Sequence, residues 1–155
     1  MEIPITIGRA TLSDLEEIVA IEESCLSSEE IVSYEFLEES IRKIADTFLV
    51  ARDENQLVGY VLGESQSLHP TWIEIRSFAI HPDHRGQGLG TLLLASLKQV
   101  AVEGGYESLR LTCPDDLLSY FEMNGFVEEE VPEASCARFS GWNLIWANPF
   151  YQEEV

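Results

Sequence analysis

The stretch Phe78-Ala79-Ile80-His81-Pro82-Asp83-His84-Arg85-Gly86-Gln87-Gly88-Leu89-Gly90-Thr91-Leu92-Leu93-Leu94 decides the fold. It starts as the apolar end of a strand over Trp72–Ile80, turns at Pro82, passes three glycines and enters a leucine-rich helix expected over 88–104. Glycines let backbone N–H groups approach a phosphate with no Cβ in the way. The first helical turn adds unpaired N–H donors and the positive end of its dipole. Arg85 adds a permanent, forked cation. The run therefore reads as an anion site built mainly from backbone. It lacks the Gly-Lys-Ser/Thr of a P-loop. Gly86, Gly88 and Gly90 fall at every second position, which is not the dinucleotide spacing.

Outward from this run the pattern alternates between strand and helix. The helix places Leu92, Leu93, Leu97, Val100 and Ala101 on one side and ends at Gly104-Gly105. A strand over Ser108–Cys113 follows, so the pair forms one β-helix-β crossover. Upstream, strands over 48–52 and 57–64 flank the turn Asp53-Glu54-Asn55-Gln56 as a hairpin. Before them come a strand over 3–8 and a helix opened by Thr11-Leu12-Ser13-Asp14, with Thr11 or Ser13 as its cap. Leu15, Ile18 and Val19 form that helix's apolar face, and a second helix is expected near 34–45. Downstream, a short helix over 117–124 stops at Gly125, and strands follow at Phe126-Val127 and within 136–147, the latter turning at Ser140-Gly141. The order β-α-α-β-β-β-α-β-α-β-β is an α/β (α+β) arrangement, with antiparallel hairpins around one crossover.

The chain has 155 residues, 45% of them hydrophobic, which suits one domain over 1–155. No apolar run reaches the length of a membrane span, and Met1-Glu2-Ile3-Pro4 lacks the look of a signal peptide. Cys25, Cys113 and Cys136 are widely spaced with no metal-ligand pairing. Neither a disulfide framework nor a metal site is expected, and a reduced cytoplasmic setting fits. The net charge is −19, from 9 basic and 28 acidic residues, which should repel nucleic acid and anionic membranes. Residues 1–39 hold eleven acids against Arg9 alone, whereas residues 72–112 hold four acids and four bases. The middle of the chain is thus the least hostile place for a polyanion. The acidic surface either aids solubility or draws a cationic substrate.

Arg85-Gly86-Gln87-Gly88-Leu89-Gly90 resembles the Arg/Gln-x-x-Gly-x-Gly/Ala signature of the GNAT superfamily of N-acetyltransferases. The preceding Phe78-Ala79-Ile80-His81-Pro82 is similar to the strand end of those enzymes. Leu118-Ser119-Tyr120-Phe121-Glu122-Met123-Asn124-Gly125-Phe126 resembles their short helix closing on Gly-Phe. Within the superfamily, Cys113-Pro114-Asp115-Asp116-Leu117-Leu118 and the segment 25–36 look, more loosely, like arylalkylamine (serotonin-type) N-acetyltransferases. The resemblance implies a mixed, mostly antiparallel sheet flanked by helices and split in a V between Trp72–Ile80 and Ser108–Cys113. It implies acetyl-CoA as cosubstrate and no metal. The pantetheine arm would pair with backbone at Phe78, Ala79 and Ile80. The pyrophosphate would rest on Arg85, Gly86, Gln87, Gly88, Leu89, Gly90 and Thr91. The amine would attack directly in a ternary complex.

Only the free base of an alkylamine attacks a thioester, so a general base is useful. Glu74 is the candidate, as it interrupts an otherwise apolar strand. It also stands five residues before Ala79, where several histone-type members of the superfamily carry a base glutamate. The competing view is a solvent-facing residue paired with Arg76. The arylalkylamine enzymes carry histidines where this chain has Glu74 and Arg76. Tyr120 is the candidate acid for the departing thiolate. The superfamily's tyrosine position, four before Gly125, holds Phe121 here, and one helical step turns a side chain by ~100°. A packing tyrosine is the alternative. A backbone N–H near Phe78 or Ala79 is expected to meet the oxyanion. Trp142 and Trp146 share a strand face, His69, His81 and His84 form no metal-like set, and Cys113 reads as a buried apolar residue.

In family terms the segments 25–36 and 136–147 frame the acceptor. The first combines Glu29, Glu30 and Glu35 with Tyr34 and Phe36, which suits a small-molecule cationic amine. A basic peptide terminus or lysine side chain is the alternative, and an acyl-CoA-binding module without catalysis is a third. Monomer and homodimer are both open.

Overall fold

The computed structural model describes residues 5–25, 33–43, 46–65, 71–129 and 141–152. Among the described residues, seven strands form one sheet in the order β1-β2-β3-β4-β5-β7-β6. They are β1 (Ile5–Arg9), β2 (Phe48–Asp53), β3 (Gln56–Ser65), β4 (Trp72–Ile80), β5 (Ser108–Cys113), β6 (Val127–Glu128) and β7 (Trp142–Ala147). All neighbours are antiparallel except β4 and β5, which run parallel. Four helices among the described residues flank the sheet: α1 (Leu15–Cys25), α2 (Tyr34–Lys43), α3 (Leu89–Glu103) and α4 (Leu118–Met123). This is the mixed, mostly antiparallel α/β fold expected from the element order.

The parallel pairing covers only Trp72↔Ser108, Ile73↔Leu109 and Glu74↔Arg110. Beyond Glu74 the two strands part, β5 staying with β7 and β4 with β3. A register shift between Leu62 and Gly63 sets Leu62 opposite Ser77 and Gly63 opposite Ile75, so Arg76 is an extra residue on β4. Such a bulge bends a strand and increases its twist, which suits the divergence of β4 from β5. The V is therefore present, with Glu74 at its vertex.

One core lies on the α3 side of the sheet, where Leu93, Leu94, Leu97 and Ala101 meet Val58, Val61, Ile73, Ile75, Leu109 and Leu111. Each fully buried leucine contributes about 1.5–3 kcal/mol. Leu94 belongs to this face, whereas Leu92, expected there, is 40% exposed. A helix anchored by Leu93 and Leu97 turns position 92 outward and position 94 inward. The second core lies under α1 and α2, with Leu15, Ile18, Leu37 and Ile41 on Phe48, Val50, Tyr60 and Ala79.

The start of α1 is a tight turn over Leu12–Asp14 rather than α-helix, with Thr11 at its head. Asp14 closes it by accepting from the Thr11 N–H at 2.7 Å. The same buried carboxylate pairs with Arg52 of β2, which ties α1 to the sheet. The second helix ends at Lys43, and residues 44–45 of the expected span lie outside the described residues. So do residues 3–4 of the first expected strand and residues 136–140 with the Ser140 half of the expected turn. Among the described residues no helix is long and apolar enough to cross a membrane.

Candidate active site

Where β4 and β5 part, a cavity of about 500 Å³ opens. One wall is the edge of β4 at Phe78, Ala79 and Ile80, which no other described strand pairs. The floor is the run Arg85, Gly86, Gly88, Leu89, Gly90 and Thr91, and the opposite wall is Pro114, Asp116, Leu117, Tyr120 and Phe121. Cys25, at the end of α1, also lines it. Sequence reasoning thus brings together nine of its ten expected cofactor residues. Gln87 is exposed and not part of the wall. The turn explains this: Gly86 and Gly88 both have left-handed φ, +80° and +78°, so the side chain between them is carried outward.

The three glycines serve two different ends. At Gly86 and Gly88 a Cβ would meet nothing, so the requirement is conformational. At Gly90, inside the first turn of α3, a Cβ would overlap Tyr120 Oη and lie 3.0 Å from the Phe78 ring. That position keeps the helix start bare toward the cavity. Arg85 lies over the mouth, its Nε donating to the Ile80 carbonyl at 3.3 Å. The Cys25 thiol donates to the same carbonyl at 3.2 Å, so this group points away from β3 and into the opening. A bare helix N-terminus, a permanent guanidinium and a strand edge that no other described strand pairs fit a ligand with a phosphate end and an amide-bearing arm. Beside the loop, His84 Nε2 faces Asp53 Oδ2 at 3.8 Å and the His81 ring meets it edge-on, an arrangement of turn residues. His69 lies outside the described residues. Among the described residues no group of three or more metal-ligating side chains converges.

Tyr120 points into the cavity despite its one-residue offset. Its ring stacks on Phe78 at 6.3 Å between centroids. Burial raises the phenol's pKa, so it stays protonated. Phe121 is buried and packs edge-on against Phe126.

Glu74 is not a wall of this cavity. Ile73 and Ile75 turn into the α3-side core, so Glu74 between them faces the α1–α2 side. It is 7% exposed, which removes the solvent-facing alternative. Its pKa rises from 4.5 to about 7, chiefly through burial, with Arg76 and Arg110 pulling it down and Glu129 and Glu64 pushing it up. Among the described residues it enters no ion pair. Cys113 is buried, and burial lifts its thiol to about 11, which leaves it inert as a nucleophile.

Sequence reasoning missed the surroundings of Glu74. Arg110 stacks on Trp72 at 3.7 Å and pairs with Glu129 at 3.1 Å. Its place in the apolar strand Ser-Leu-Arg-Leu-Thr-Cys was the available signal. Also missed was Glu22, buried on α1, which accepts from Tyr60 at 2.7 Å and from Ser77 at 3.0 Å. Leu15, Ile18, Glu22 and Cys25 form one helical stripe, so periodicity alone turns Glu22 inward.

Comparison with known proteins agrees with this geometry. Residues 14–126 match the acetyltransferase (GNAT) family. Among solved structures, the ribosomal-protein-S18-alanine N-acetyltransferase of Escherichia coli superposes with a TM-score of 0.78 at 17% identity, covering 98% of this chain and 99% of that one. The PaiA N-acetyltransferase of Thermoplasma acidophilum, in complex with coenzyme A, gives 0.75 at 19% identity over 93% and 99%. The diaminobutyrate acetyltransferase EctA of Paenibacillus lautus, with L-2,4-diaminobutyric acid and coenzyme A, gives 0.74 at 16% identity over 99% and 100%. These likenesses establish a shared fold, and the family match spans most of the sequence. The chain belongs to the acetyltransferase (GNAT) family.

Proposed function

We propose that this chain transfers the acetyl group of acetyl-CoA to a primary amine of a small cationic molecule, with Glu74 as the proton acceptor. Acyl transfer from acetyl-CoA is the chemistry of the family, and the thioester is what that cosubstrate supplies. The observation that carries the finer reading is the place of Glu74: a buried carboxyl, at the vertex of the V, facing the α1–α2 side while the cavity opens beyond it.

Each residue then has a task. Backbone N–H groups of Gly86, Gln87, Gly88, Leu89 and Gly90, with Arg85 and Thr91, hold the pyrophosphate. The β4 edge at Phe78, Ala79 and Ile80 holds the amide-bearing arm, and an N–H there meets developing negative charge on oxygen. Glu74 takes a proton from the ammonium form of the acceptor, and a pKa of about 7 suits an acceptor working near neutral pH. Tyr120, held protonated in the wall, is the donor to the departing sulfur.

The small cationic acceptor is supported by the acidic first third of the chain, from which Glu35 on α2 faces solvent. Residues 26–32, with Glu29 and Glu30, and residues 136–140 of the two framing segments lie outside the described residues. EctA is a solved example with a small diamine acid, and the S18-alanine enzyme one named for a protein substrate. Release of free thiol from acetyl-CoA, measured across arylalkylamines, polyamines, diamino acids and basic peptides, tests the proposal. Turnover of peptides alone rejects the small acceptor, and no turnover with any amine rejects the transferase reading.

A further inference from the structure

Glu74 stands in a row of charges across the sheet. Glu64 of β3 lies opposite it on one side and Arg110 of β5 on the other. Next along β4 is Arg76, within 4.0 Å of Glu64 and over the Phe36 ring of α2. From α1, Glu22 reaches the same face at Ser77. The segment after β6 adds Glu129, whose backbone N–H donates to the Asn143 carbonyl at 2.8 Å. Two guanidiniums thus flank a buried carboxyl, and each is in contact with another acid.

The arrangement around Arg110 is the more closely built. Its Nη1 meets Glu129 Oε2 at 3.1 Å, its Nη2 meets Glu107 Oε1 at 3.6 Å, and its plane covers Trp72. Both members of the Arg110–Glu129 pair are mostly buried, at 11% and 19% side-chain exposure. A guanidinium fixed at both edges and on one face has little freedom to turn toward its cross-strand neighbour.

We propose that Glu129 is a positioning residue for the acetyl-transfer reaction: by holding the Arg110 guanidinium it prevents capture of the Glu74 carboxylate by the cation beside it in the sheet. The inference rests on the reading of Glu74 as the base. A carboxylate captured by a neighbouring arginine would be a poor proton acceptor, because its basicity falls by one to three pH units. Glu129 counters this twice. It occupies the cation, and its own negative charge opposes ionisation of Glu74, as does Glu64 from β3.

The test titrates the Glu74 carboxyl directly, by carbon-13 NMR on the full chain labelled at glutamate, with Glu74→Gln to assign the signal. Glu129→Gln should lower the Glu74 midpoint by about one pH unit, the low end of the range because Glu107 still holds one edge of Arg110. The acid limb of kcat/KM should move with it. Glu129→Asp keeps the charge and should restore the wild-type midpoint. An unchanged midpoint in folded Glu129→Gln overturns the proposal. So does Glu129→Asp shifting as far as Glu129→Gln. Should Glu129→Gln fail to fold, Glu129→Ser removes the same carboxylate with a smaller side chain, and a constant midpoint in it overturns the proposal. A midpoint that falls while the rate profile stays put upholds the tuning by Glu129 and removes Glu74 as the base, so the two failures are distinct.

Discussion

Glu74→Gln keeps the shape of the side chain and removes its titration, so it isolates one proton. With Glu74 as the base, as proposed, the active pairing in the wild type is ionised Glu74 with an ammonium substrate. The kcat/KM for the amine should therefore rise with unit slope up to about pH 7, where Glu74 ionises, and stay level until the amine itself loses its proton near ~10. In Glu74→Gln only the small fraction of free amine reacts. At pH 7 that fraction is roughly one in 10³ for an alkylamine, so the deficit there should be about 10³-fold. It should shrink about tenfold with each pH unit above 7, and the break near 7 should vanish. Stopped-flow or plate assays of thiol release over pH 5.5–10 give both curves. A break near 7 that survives the substitution, or a deficit that does not change with pH, refutes the reasoning. Folding offers a check independent of turnover. Native Glu74 keeps its proton up to about 7 and the unfolded chain only up to about 4.5, so wild-type stability falls as pH rises between those values. The loss is about 3 kcal/mol at most. Glu74→Gln escapes it, so its melting temperature should exceed the wild type's above pH 7, and the gap should close below 4.5.

Three further substitutions probe the cofactor side. Gly90→Ala places a methyl against Tyr120 Oη and the Phe78 ring, and should weaken CoA binding by about tenfold or more in calorimetry while the fold persists; undiminished affinity would show that the helix start need not be bare. Arg85→Ala removes the cation over the mouth and should raise KM for acetyl-CoA by about 10–100-fold with kcat little changed; a fall confined to kcat would contradict the holding role. Tyr120→Phe leaves the stack on Phe78 in place and should lower kcat by about 10²-fold, whereas unchanged kcat with a raised KM would reduce the hydroxyl to a cofactor contact.

What the sequence revealed, and what it concealed, follows from the range of the interactions. The α3 turn was legible because local rules govern it: glycines at 86 and 88 adopt left-handed φ, and a helix must start bare at 90. The exit of Gln87 from the wall was not, because the twist of two left-handed residues sets it. Leu92 looked buried because a run of leucines has no phase of its own; packing against β3, β4 and β5 chose Leu93, Leu94 and Leu97 instead. The ring of charges around Glu74 joins residues from 64 to 129, and only sheet pairing brings them together. Tyr120 reaches the cavity one position off the family pattern because α4 is short and Phe121 takes the core position beside it.

The vertex of the V accounts for both halves of the site. Up to Glu74, the amide groups of β4 on this edge pair with β5; beyond it they need another partner, since unpaired buried amides are costly. The last paired residue can therefore hold a dry side chain, and the next residues can receive an amide-bearing ligand. Side-chain parity then selects the position of the acid. Ile73 and Ile75 face the α3-side core, and Trp72 lies under Arg110, so 74 is the position at this vertex that places a carboxyl toward α1 and α2. The cavity opens along the β4 edge just beyond, with Cys25 of α1 in its wall. Two substrates can then meet at one point from two faces of the sheet, each arriving through groups suited to its charge. On the proposed reading, backbone donors and Arg85 receive the anion, and the acidic side receives the cation. On these terms a protein with net charge −19 can bind a polyanion, because the donors proposed to hold it are mainly peptide N–H groups, whose number does not depend on composition.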